Sequence, residues 1–105
     1  MQAVVFCVAT LYNVAAMIKS FRHKGLQLFF ETGRKTGIQP HHAERLMRQL
    51  ARLNVAAQPQ DMNIPGWRLH PLQTEHWSIW VNGNWRMTFM FEEQDAVLVD
   101  YQDYH

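Results

Sequence analysis

A chain of 105 residues, 48 % apolar and 12 % aromatic with a single cysteine, has the makings of one folded domain rather than a disordered or disulfide-framed chain. Its net charge of +1 exerts no global pull on nucleic acid, yet the charge is unevenly placed. Residues 1–16 carry none, residues 17–52 carry eight Lys/Arg against two acids, and residues 53–105 carry two Arg against seven acids.

The opening stretch, MQAVVFCVATLYNVAA, is apolar and ends in small residues, as a secretory signal does. It lacks the basic start of such signals and falls short of the roughly 20 residues that span a bilayer as a helix. We read residues 1–16 as an extension from an upstream start codon, with Met17 opening the working domain at 17–105. A signal peptide here would instead imply a secreted protein. Cys7 reads as a small apolar side chain.

From Met17 the pattern becomes regular. Ile18–Phe21 reads as a short strand leading into the basic residues Arg22 and Lys24. Leu26, Phe29, Phe30 and Gly33 then fall at i, i+3, i+4 and i+7, the apolar stripe of a helix that Gly37 is placed to stop. Pro40 suits the first turn of a second helix, with Ala43, Leu46, Met47, Leu50 and Leu53 as its buried face. Glu44 and Arg48 are spaced to pair on its outside. AAQPQDMNIPGW breaks the helical part. Beyond it the period is two: Trp67–Leu72 as an edge strand because of Pro71, then Trp77–Asn82 and Trp85–Phe91 joined at Asn82-Gly83, then Ala96–Tyr101. The fold class is α+β, two N-terminal helices on a twisted antiparallel sheet.

Arg45, Arg48 and Arg52 share a helical face and, with Arg22 and Lys24, offer a cationic surface to RNA or to an acidic protein, although three arginines alone describe an ordinary solvated face. The six histidines make no metal pattern: His41 and His42 would not face the same way on a helix, His70 and His76 lie on separate strands, and HExxH is absent. We expect no metal and no cofactor. The closing residues Asp103, Tyr104 and His105 bring acid, base and hydrogen-bond donor together, and Arg86 suits a developing phosphate charge. Each alone is commonly structural.

The stretches MIKSFRHKGLQLFFETG, IQPHHAERLMRQLARL, PQDMNIPGWRLHPL and WSIWVNGNWRMTFMFEEQDAVLVDYQDYH, in that order, resemble the HigB branch of the RelE-like toxins, the killer proteins of plasmid maintenance. The resemblance covers nearly all of 17–105. It implies a RelE-like fold and a type II toxin that cleaves mRNA in the ribosomal A site without a metal. It further implies a HigA-type helix-turn-helix antitoxin as partner, operator DNA contact only through that antitoxin, no membrane, and a cytoplasmic location. Carried over by residue, the site comprises His70, Arg86, Asp103, Tyr104 and His105. Arg86 would hold the scissile phosphate and His105 would act as acid or base. Asp103 and His70 would share proton transfer, and Tyr104 would contact the substrate. Two family cations are replaced, by Gln73 and Trp80, which leaves phosphate stabilisation to Arg86 alone and implies a slow or context-limited nuclease. The alternative is a catalytically weak homologue acting as an antitoxin-binding co-repressor.

Overall fold

The computed structural model describes residues 17–104. The proposed extension at 1–16 and the terminal His105 lie outside the described residues. Two helices, α1 (Lys24–Thr32) and α2 (Ala43–Leu53), precede a four-stranded antiparallel sheet of β1 (His70–Pro71), β2 (Trp77–Asn82), β3 (Trp85–Glu92) and β4 (Asp95–Asp103), ordered β1-β2-β3-β4. The α+β architecture is therefore the expected one.

Helix α1 starts two residues before its first core leucine because His23 caps it, Nδ1 accepting from the Leu26 N–H at 2.9 Å. It ends at Gly33, whose φ of +84° makes the left-handed cap, four residues before the stop expected at Gly37. Pro40–His42 form a 3-10 turn that leads into α2. Leu46, Leu50 and Leu53 are fully buried as their spacing predicts, but Met47 is 41 % exposed and Gln49 takes its place in the core. The reason is a polar one. The β2–β3 register shifts between Trp80 and Asn82, and Gln49 Nε2 donates to the Trp80 carbonyl there at 2.9 Å. Glu44 and Arg48 form no ion pair with each other. The proline-rich stretch after α2 is not a bare loop, since its Pro59–Met62 turn drives Met62 into the core.

Ile18–Phe21 is less than a strand: Ile18 and Phe21 make isolated parallel bridges to Ala96 and Val99 on the edge of β4. The expected strand at 67–72 likewise shrinks to His70–Pro71, held against Ser78 and Trp77. The β2–β3 loop consists of Gly83 and Asn84, one residue later than Asn82-Gly83, because Asn82 still pairs with Trp85. Gly83, at φ +56°, fills the first loop position, where a tight hairpin favours glycine.

Alternation along the strands separates two faces. Ile79, Val81, Met87, Phe89, Val99 and Tyr101 pack beneath the helices with Leu26, Phe29, Leu46 and Leu50. A bulge opposite β3, with exposed Leu98 at φ +54°, resets β4 so that Ala96, Val99 and Tyr101 all stay on the buried side. Register partners point the same way, so Ser78, Trp80, Arg86, Thr88, Asp100 and Gln102 occupy the opposite face.

Candidate active site

That second face carries the candidate site. His70 is opposite Ser78 and Arg86 is opposite Trp80, which brings two expected site residues onto one surface. They line a depression of about 310 Å³ with Arg68, Leu69 and Ser78. Ser78 and Thr88 are small, buried and adjacent in register, and they form the floor over which the longer side chains stand. Arg86 Nη1 donates to the Gly83 and Trp85 carbonyls at 3.3 and 3.2 Å, which anchors the guanidinium beside the hairpin turn.

Arg68 is not among the expected site residues. It adopts φ +55°, a conformation that costs an L-residue about 1–2 kcal/mol, and its guanidinium carbon lies 4.4 Å from the centre of the Trp80 ring. The Trp80 ring thus has a cation against it. That guanidinium belongs to a residue that lines the same depression as Arg86. No local sequence signal marks Arg68, because the contact crosses from the segment before β1 to β2.

The C-terminal residues are placed differently. Asp103 is in register with Trp85, on the helix-covered face, although the strand end leaves it exposed. The Tyr104 N–H donates to the Asn84 carbonyl at 2.8 Å, which pins the chain end beside the turn that precedes Arg86. Arg86 and Gln102 are register partners, so the end of β4 runs directly alongside the site strand.

Of the cationic residues expected to bind RNA, Arg22, Lys24 and Arg48 are exposed on the helical side. Arg52 donates Nε to the Asp61 carbonyl at 2.9 Å and so helps hold the Pro59–Met62 turn. Arg45 reaches the sheet, with its guanidinium carbon 5.3 Å from the Trp80 ring centre. Two acids of the sheet half have partners close by. Asp95 binds Lys19 at 3.4 Å, and Asp100 accepts from the Tyr101 N–H and from Gln102 Nε2. Glu92 and Glu93 sit at the far end of β3, about 20 Å along the strand from Arg86.

Beneath the site strand lies an aromatic cluster that the sequence did not reveal. His42 Nδ1 is 2.6 Å from the Tyr101 hydroxyl, both groups are buried, and Trp85 stacks on Tyr101 with centroids 4.4 Å apart. His41 and His42, expected to face different ways, nonetheless have ring centroids 4.2 Å apart. Burial, and then the neighbouring His41, lower the His42 pKa below the usual value, while burial raises that of Tyr101. His42 is therefore neutral in the fold at pH values where the unfolded chain has begun to protonate it. Its contribution to stability is complete above about pH 6.5 and is lost as the pH falls through the depressed folded value. We expect the thermal midpoint to drop on acidification from pH 7.5 to 5.5, and His42→Gln to flatten that dependence. Melting curves of both proteins across the range check this.

The family model for the RelE-like toxin of the type II toxin-antitoxin system HigB matches residues 19–105. The chain is also 41 % identical over 92 residues to a protein of Proteus vulgaris named endoribonuclease HigB, covering 85 % of this chain and all of that protein. A match spanning both helices, every strand and the depression around Arg86 leaves little of the described fold outside it. The chain belongs to the HigB-like family of RelE-like toxins of type II toxin–antitoxin systems.

Proposed function

We propose that this toxin is an endoribonuclease that cuts mRNA in the ribosomal A site, in the cytoplasm, and is held inactive by a HigA-type antitoxin. The observation that carries the reading is the convergence of Arg68, His70 and Arg86 on one depression of the uncovered sheet face. Cleavage needs a base to take the ribose 2′-hydroxyl proton, a cation for the phosphorane and an acid for the leaving 5′-oxygen. The 2′-oxygen then bonds to phosphorus as the 5′-oxygen departs, giving a 2′,3′-cyclic phosphate. Arg86 and Arg68 supply the cations, with bidentate geometry suited to phosphate. His70 lines the same depression and would move a proton there, while Tyr104, held to Asn84 beside the turn that precedes Arg86, would contact the substrate. Arg22, Lys24 and Arg48 leave an exposed positive surface for ribosomal RNA.

The Proteus vulgaris relative's name supports ribonuclease activity here. Induced expression in a bacterium, with primer-extension mapping of mRNA ends, tests it. We expect growth arrest, new 5′ ends inside translated codons, and loss of both on co-expression of the antitoxin. Normal growth with unchanged mRNA ends would refute the assignment.

A further inference from the structure

Trp80 is more than a substitute for a missing cation. Its ring faces two guanidinium groups, Arg68 at 4.4 Å and Arg45 at 5.3 Å, and each arginine lines a different depression. Arg68 belongs to the one with His70 and Arg86. Arg45 belongs to a second, of about 240 Å³, lined also by His41, His42, Trp80 and Asn82. The Arg68–Trp80–Arg45 strip therefore joins the two.

The tryptophan is also held firmly. Its Nε1 donates to the Gly83 carbonyl at 2.9 Å, its N–H to the Trp67 carbonyl at 2.7 Å, and its carbonyl accepts from buried Gln49. A half-exposed ring fixed in this way loses little side-chain freedom when something stacks on it. Aromatic and guanidinium planes next to a phosphate-binding arginine suit an unpaired nucleobase, because every base has a π-face. We infer that Trp80, with Arg45 and Arg68, is a stacking platform for the base of the nucleotide beside the cleaved bond, and that it helps determine which RNA is cut.

The inference rests on the RNA-cleaving reading above, and the test separates the two. Single-site mRNAs on programmed ribosomes are cleaved by wild type, Trp80→Leu and Trp80→Phe, with either an intact base or an abasic residue on each side of the cleaved bond in turn. We expect Trp80→Leu to raise KM about tenfold on the intact mRNA with kcat nearly unchanged. Trp80→Phe should stay within about threefold of wild type, since it keeps a π-face. At one of the two positions the abasic mRNA should erase the difference between wild type and Trp80→Leu. An equal loss on intact and abasic mRNAs would mark Trp80 as a structural strut and overturn the inference, as would no loss at all. A wild type that cleaves none of the mRNAs overturns the nuclease assignment itself, and this inference with it.

Discussion

Arg86→Ala is expected to lower kcat for mRNA cleavage by about 100- to 1000-fold, the usual consequence of removing a preorganised group aimed at developing charge. Stability should change little. Arg86 lies on the uncovered face, while its strand neighbours Trp85 and Met87 pack on the core side and hold β3 in place without it. The hydrogen bonds lost, to the Gly83 and Trp85 carbonyls, lie at a half-exposed position where water replaces them. Arg86→Lys should fall between the two, because a point charge keeps attraction to phosphate but not the fork. Single-turnover rates beside melting curves check the pair. A kcat within threefold of wild type for Arg86→Ala would remove this arginine from the reaction.

Gly37→Ala is the second large effect, this time on folding. A methyl group at Gly37 would lie 2.5 Å from the Gly25 Cα, and one at Gly25 would lie 2.7 Å from the Gly37 Cα. Both obstacles are backbone, so no side chain can swing aside. The first turn of α1 and the segment before Pro40 must separate to admit it. That would loosen Leu26 and Ile38, both in the core, and disturb the lead-in to His42. Overpacking of this kind costs about 3 kcal/mol at the upper end of its usual range, which for a domain of this size lowers the thermal midpoint by about 10 to 20 °C. Calorimetry of the variant tests it. A midpoint within about 3 °C of wild type would mean that the two segments are not so closely packed.

These two residues also show what local pattern conveys and what it hides. The stripe Leu26, Phe29 and the face Leu46, Leu50, Leu53 are legible because helical periodicity is a property of neighbouring residues, and the hairpin is legible because its turn chemistry is local too. Gly37 reads locally as a helix stop, but its role is a close approach to Gly25, twelve residues away, which no local pattern encodes. Gln49 replaces Met47 in the core for a similar reason: its partner is a carbonyl freed by a register shift in a distant strand. Within the site, His70 and Arg86 are marked by their resemblance to family positions, and strand register brings them to one face. Arg68 escapes notice because its significance depends on Trp80 lying beneath it.

Purified protein incubated with ribosomes that carry a defined mRNA shows whether this toxin cuts RNA. We expect cleavage within the A-site codon, with a 2′,3′-cyclic phosphate on the upstream fragment, and no cleavage when the ribose at that bond is 2′-deoxy. Intact mRNA after incubation with wild-type protein, or equal cleavage of the 2′-deoxy substrate, would contradict it.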